Sequence, residues 1–211
     1  MLVTNFKTYP QSSGQKCLEL AKIHEKVAKE GEDIIIAVQP ADILRVSSLD
    51  VPVFAERVDP IEPGRNTGMI SPQNIKEAGA DGVMLNHSEN PMKAWDVEKA
   101  VQLCKKMGLS VLVFVSDLQE ARDLKGFKPD YIAYEIPELI GTGTPISKEK
   151  PRELKEFVKV LEGSDIVPLC GAGISKKEDA ETARKLGAKG VVVASAIVKS
   201  ENPEKVIREL V

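Results

Sequence analysis

Five short segments carry groups with chemistry to offer. Asn5-Phe6-Lys7-Thr8-Tyr9 sets an amide and an ammonium two residues apart. On an extended chain Asn5 and Lys7 share one side and Phe6 takes the other. A lysine so placed can hold a phosphate as a point charge. Leu85-Asn86-His87-Ser88-Glu89-Asn90-Pro91 contains one of only two histidines. Ser88 and Pro91 suit the first turn of a helix. The positive end of that helix would disfavour imidazolium and keep the His87 ring neutral. Glu135 stands between Tyr131-Ile132-Ala133-Tyr134 and Ile136-Pro137. A carboxylate in so apolar a stretch is partly desolvated and is a stronger base for it. Its loop, Pro137-Glu138-Leu139-Ile140-Gly141-Thr142-Gly143, is stiff at one end and permissive at the other, as a hinged lid needs. Last, Cys170-Gly171-Ala172-Gly173-Ile174-Ser175 and Val193-Ala194-Ser195-Ala196 are built of small residues. Backbone N–H groups can approach an anion there, and the first of these segments opens a helix, whose start favours negative charge.

Taken singly, each segment has a plain structural reading: a solvated lysine, a capping histidine, a salt-bridged glutamate, two ordinary turns. Their weight comes from where the elements put them. Short apolar runs at 2–5, 33–38, 52–55, 82–85, 110–115, 131–134, 166–169 and 190–194 are rich in β-branched residues, and most are continuously apolar. That pattern marks strands buried on both faces of a parallel sheet. Helical patterns separate them at 13–29, 71–78, 91–107, 117–124, 148–161, 176–186 and 203–210, with at most a short helix at 41–49. In the first, Cys17, Leu20, Ala21, Ile23, Val27 and Ala28 trace the apolar stripe, and His24, among Lys and Glu, is read as surface. Alternating strand and helix predicts right-handed βαβ units. Eight strands point to an α/β fold, a closed (β/α)8 barrel in one domain over 1–211 with shortened helices; an open doubly wound sheet is the other option. An internal echo favours the barrel: Ala78-Gly79-Ala80-Asp81-Gly82-Val83 resembles Leu186-Gly187-Ala188-Lys189-Gly190-Val191, about half the chain apart. Each first glycine suits the left-handed residue that ends a helix. In a barrel all five segments fall after strands, at the one face where ligands bind.

Composition narrows the classes of function. The chain has 211 residues, 29 basic and 32 acidic, for a net charge of −3. No general attraction to a polyanion exists, and with five Phe, three Tyr and one Trp there is little to stack on bases, so nucleic acid is not an expected partner. The longest apolar run, 191–198, is too short to cross a bilayer and no apolar signal segment precedes the first strand, so no membrane is expected. Cys17, Cys104 and Cys170 have neither metal-ligand nor redox spacing, which suggests free thiols in a reducing cytoplasm. Cys17 and Cys104 fall in apolar helical positions; Cys170, beside a glycine-rich turn, is ambiguous. The longest irregular stretch, 56–70, has the length of a functional loop or partner-contact arm.

Together these segments, in this order along the whole chain, resemble the triosephosphate isomerase family, and the short loops resemble its compact archaeal branch. The most specific pieces are Asn5-Phe6-Lys7-Thr8-Tyr9, Leu85-Asn86-His87-Ser88-Glu89, and Glu135 with Leu139-Ile140-Gly141-Thr142-Gly143. The resemblance implies a cofactor-independent and metal-independent isomerase of glycolysis and gluconeogenesis acting on a small phosphorylated triose. It implies Glu135 as the base, neutral His87 as the group that polarises the carbonyl, Lys7 as the electrostatic partner and Asn5 as an aid to placing substrate. It implies Glu89 as a support behind the site, Ile140 and Gly141 as lid residues meeting the phosphate, and Gly173, Ala194 and Ser195 as the rest of the phosphate cradle. The 56–70 stretch resembles the family's projecting third loop. That implies a homodimer or homotetramer in which Thr67 of one copy approaches Asn5 and Lys7 of another. Three places depart from the wider family: Ile136 stands where Pro is common, Gly173 where many relatives have Ser, and Ala194-Ser195 where paired glycines are usual. They bear on the lid's first hinge and on phosphate geometry, not on the reaction. Two other readings are a different sugar-phosphate isomerase or synthase on a phosphate-binding barrel, and a binding module that keeps the fold without catalysis.

Overall fold

The computed structural model describes residues 1–139 and 145–211. Eight parallel strands close into a barrel in sequence order. They are β1 Leu2–Asn5, β2 Ile34–Val38, β3 Val53–Ala55, β4 Gly82–Leu85, β5 Ser110–Val115, β6 Tyr131–Tyr134, β7 Val167–Cys170 and β8 Gly190–Val193. β1 pairs with β2 (Val3 beside Ile35) and with β8 (Val3 beside Val192), which closes the ring. The helices are α1 Gln15–Ala28, α2 Ile43–Val46, α3 Pro72–Glu77, α4 Ala94–Lys106, α5 Leu118–Lys125, α6 Ile146–Glu149, α7 Pro151–Leu161, α8 Lys177–Lys185, α9 Ser195–Val198 and α10 Pro203–Leu210. The region at 41–49 is indeed reduced to one short helix, α2, after a 3-10 turn at Pro40–Asp42. The expected helix at 148–161 is two pieces, α6 and α7, because Pro151 cannot continue α6 and instead starts α7.

Strand alternation divides the core in two. Val3, Ile35, Ala37, Phe54, Met84, Leu112, Phe114, Ala133, Leu169 and Val192 fill the barrel. A larger shell, including Leu2, Phe6, Ile34, Ile36, Val83, Val111, Val113, Ile132 and Val191, lies between barrel and helices. The echo in the sequence marks matching turns: Gly79 (φ 94°) ends α3 before β4, and Gly187 (φ 107°) ends α8 before β8. Gly82 makes room inside the barrel, since a Cβ there would lie 2.5 Å from the Phe54 ring.

His24 is not on the surface. It lies seven residues after Cys17, two turns along the same face, and is fully buried. Its Nδ1 donates to the Leu20 carbonyl (2.8 Å) and its Nε2 accepts from the Thr4 hydroxyl (3.0 Å), so the neutral ring ties α1 to β1. Leu20, Ala21 and Val27 share its buried stripe, while Ile23 and Ala28 are only partly covered. Cys17, Cys104 and Cys170 are all buried and free. Among the described residues no helix is long and apolar enough to cross a membrane.

Burial pushes the His24 imidazole down to about 4, against a smaller opposing pull from its bond to Leu20. The folded state therefore favours the neutral ring. Its contribution is complete above about 6.5, erodes as the pH falls from there, and is gone near 4, for a total of about 3 kcal/mol. Urea unfolding between pH 4 and 7 should show this acid limb, and His24→Gln should flatten that component. An unchanged limb in the variant would show that His24 is not its source.

Candidate active site

Each candidate group sits just past a strand end, held by a local device. β1 stops at Asn5, so strand alternation does not set Lys7. Lys7 takes a left-handed backbone (φ 51°), and its N–H donates to Asn5 Oδ1 at 3.1 Å. This turn brings both side chains to one cavity. Lys7 Nζ lies 2.7 Å from Glu89 Oε1, with the lysine side chain mostly covered and Glu89 half-exposed.

Past β4, Asn86 is also left-handed (φ 60°). Its Nδ2 donates to the Phe114 carbonyl (3.0 Å) and to Glu120 Oε1 (2.7 Å), and its Oδ1 accepts the Met92 N–H (2.8 Å). Glu120 in turn accepts from Ser116 N–H and Oγ. This network holds the chain irregular from Asn86 to Met92, so α4 begins only at Ala94. Ser88 and Pro91 therefore precede the helix rather than open it. The ring's proton is set differently: Nδ1 accepts the Glu89 N–H at 3.1 Å, which leaves the proton of a neutral ring on Nε2. The Phe114 ring packs edge-on at 4.8 Å.

Past β6, Glu135 is buried, and its N–H donates to the Val115 carbonyl. Its Oε2 lies 3.1 Å from His87 Nε2. The N–H does not aim along that line, and Oε2 is buried without a hydrogen-bond partner. The carboxylate rests against Gly171, where a Cβ would come within 3.1 Å of Oε1 and 3.3 Å of the Glu135 Cβ. Glycine at 171 is what lets the carboxylate sit so deep.

Past β7, Ala172 (φ 62°) and Gly173 (φ 71°) turn the chain over the cavity. The start of α8 is less open than expected. Asp179 Oδ2 accepts the N–H groups of Ser175 and Lys176, each at 3.2 Å, so those donors are already taken. Past β8, Ala194 and Ser195 lead into α9 and line the same cavity.

A cavity of about 530 Å3 thus brings together Asn5, Lys7, His87, Glu89, Glu135, Gly173, Ala194 and Ser195. Thr67 is exposed on the arm and does not line it. Ile140 and Gly141 lie outside the described residues. Sequence reasoning assigned no role to Tyr9 or Lys199, which also line the cavity, with Lys199 Nζ 4.4 Å from the centre of the Tyr9 ring. Their signal was position alone: Tyr9 closes the first segment, and Lys199 follows α9.

The model of the triosephosphate isomerase family matches residues 1–210. The chain belongs to the triosephosphate isomerase family. Triosephosphate isomerase of Methanocaldococcus jannaschii is 43% identical over 215 residues, covering all of this chain and 98% of that protein. That of Saccharolobus solfataricus is 40% identical over 214 residues, covering all of this chain and 94% of that protein. A crystal structure of triosephosphate isomerase from Bartonella henselae superposes with a TM-score of 0.73 over 93% of this chain and 92% of that one, at 21% identity, and agrees in fold. Within the triosephosphate isomerase family this chain therefore groups with full-length archaeal relatives, as its short loops suggest.

Asn86→Ala removes both buried amide donors and leaves an alanine in a left-handed conformation. It should destabilise the protein by about 2–4 kcal/mol. Thermal or urea unfolding measures this, and a loss below about 0.5 kcal/mol would show that the network does not hold the β4 loop.

Proposed function

We propose that this chain interconverts dihydroxyacetone phosphate and D-glyceraldehyde 3-phosphate through an enediolate, with no cofactor. The observation that carries this is Glu135 Oε2: buried, without a hydrogen bond, and 3.1 Å from a His87 nitrogen whose ring partner already accepts a bond. A carboxylate oxygen in that state is available to take a proton, and the adjacent N–H is available to a carbonyl oxygen.

In the proposed sequence Glu135 removes a proton from the carbon beside the carbonyl. The C–H electron pair forms the C=C bond of the enediolate, and the carbonyl pair moves onto oxygen. His87 Nε2–H stabilises the charge on that oxygen. The hydroxyl proton on the deprotonated carbon's own oxygen then passes to the charged oxygen, and the pair it leaves forms the new carbonyl. The C=C pair takes the proton that Glu135 returns to the former carbonyl carbon, so nothing is oxidised or reduced overall. Lys7 offsets the substrate's negative charge and Asn5 orients it, with Glu89 holding the ammonium from behind. Gly173, Ala194 and Ser195 offer backbone to the phosphate. Excluding water protects an enediolate that can otherwise expel phosphate. The three free, buried thiols suit the cytoplasm, where this step serves glycolysis and gluconeogenesis.

Purified protein, without added metal or cofactor, should convert glyceraldehyde 3-phosphate in a coupled assay. Glu135→Asp pulls the carboxylate back by one methylene and should lower turnover about a hundredfold or more while circular dichroism stays unchanged. Full activity in that variant would refute the base assignment.

We also propose a homo-oligomer, dimer or tetramer, joined through residues 56–70. The base of this arm is pinned by Asp59, which exchanges bonds with Ile70, while residues 62–65 and 67–69 are exposed. Thr67 and the half-exposed Met69 lie at its tip, and Trp95 is exposed beyond α4's first residue. Sedimentation at assay concentration should give a multiple of the chain mass. A fully active monomer would contradict this arrangement.

A further inference from the structure

Glu56 follows β3 at the same end of the barrel as the active site, and its N–H donates to the Val38 carbonyl. The side chain is partly buried, and Oε1 is completely buried with no hydrogen-bond partner. An orphan carboxylate oxygen is costly to keep, and no role described above accounts for it. Its surroundings decide what it can do. β2 brings Lys7 to this side, since the Phe6 N–H donates to the Ala37 carbonyl beside the Val38 carbonyl that takes the Glu56 N–H, and the Lys7 charge favours the ionised carboxylate. Glu89, beyond β4, and Asp42, before α2, oppose it. The Cys17 thiol of α1, pushed up to about 12 by burial, also feels Asp42 and Glu56, with Arg45 of α2 acting the other way. Asp42 is committed elsewhere, to the Gly14 N–H (3.0 Å) and Arg45 (3.2 Å). Among the described residues Lys7 is thus the cation that acts on Glu56 and pairs with Glu89.

We propose that Glu56 is a positioning residue for Lys7: protonated, it leaves the ammonium to an anionic substrate; ionised, it draws on that ammonium and repels the anion. This rests on the reading of Lys7 as the substrate's cation. Burial, opposed by Lys7, pushes the Glu56 carboxyl up to about 7, so the change falls near neutral pH. The sign follows by linkage. An anion at Lys7 favours the protonated form, so affinity falls as the pH rises through that range and levels off above it.

The test is calorimetric titration of the full chain with 2-phosphoglycolate between pH 6 and 8.5, comparing wild type with Glu56→Gln. The ratio of the two affinities cancels the titration of the ligand and of every other group common to both proteins. Wild type and variant should bind alike at pH 6, and the variant should bind about tenfold tighter at pH 8.5, the effect of one pKa unit of coupling. A pH-independent ratio overturns the role of Glu56 while leaving the isomerase reading intact. Absence of binding by both proteins overturns both. If Glu56→Gln does not fold, carboxyl-13C glutamate spectra of Glu135→Gln protein give the same answer. One carboxyl titrating near 7, with a midpoint that rises on adding 2-phosphoglycolate, supports the inference, and no such carboxyl refutes it.

Discussion

A carboxylate oxygen kept out of water without a hydrogen bond is the costly feature around which this barrel mouth is arranged. Water would solvate Glu135 Oε2, and a well-aimed donor would quench its basicity. The fold supplies neither. Glu135 follows a strand whose neighbours on both sides are fixed: its N–H is tied to Val115 on β5, and the Gly171 N–H is tied to Tyr134. A missing side chain at Gly171 sets how deep the carboxylate goes. On the facing side His87 is locked by the Glu89 N–H and by the Phe114 ring. Phe114 belongs to the barrel filling, and its carbonyl also anchors Asn86, so one residue of β5 joins the core to the site. Rigid strands thus hold the proposed base and its histidine neighbour, while the loops between them are free to differ.

The backbone carries strain in the same place. Among the described residues four non-glycine residues have positive φ, and three of them, Lys7, Asn86 and Ala172, stand within two residues of the ends of β1, β4 and β7. Each conformation costs of order 1 kcal/mol or more and persists only where surroundings over-determine it. Asn5 Oδ1 does this for Lys7, and three amide bonds do it for Asn86. The turns let chains leaving parallel strands bend across the barrel axis at once, so the side chains converge on one cavity rather than radiating outward.

What was legible beforehand was whatever repeats. Buried parallel strands write themselves as unbroken β-branched runs, and the paired Gly79 and Gly187 turns announced the half-barrel spacing. That Lys7, His87 and Glu135 would meet at one face was legible too, because strand ends are where a barrel exposes polar groups. What escaped depends on contacts between distant segments. His24 has the composition of a surface residue, but its position on α1 faces β1, and only Thr4 across the gap makes it a core residue. The delayed start of α4 reflects Asn86 reaching Phe114 and Glu120, neither visible from Ser88 and Pro91. Glu56 reads as the first residue of a loop, and its place beside the Lys7 turn follows only from the pairing of β1 with β2 and β2 with β3.

Asp179 changes what can hold a phosphate here. A helix start beside small residues suggests an anion site, yet α8 neutralises its own first donors with an internal carboxylate, which Lys148 also engages at 2.6 Å. A second anion at those N–H groups would meet a like charge. The proposed phosphate cradle therefore falls back on the Gly173 turn, on Ala194 and Ser195, and on cations across the cavity. Two of these face it, Lys7 and Lys199, on the loops after β1 and β8, strands that pair to close the barrel. Closure of the ring places the chain's first lysine and its last lining lysine on adjacent strands, and a dianion between them would be compensated from both sides.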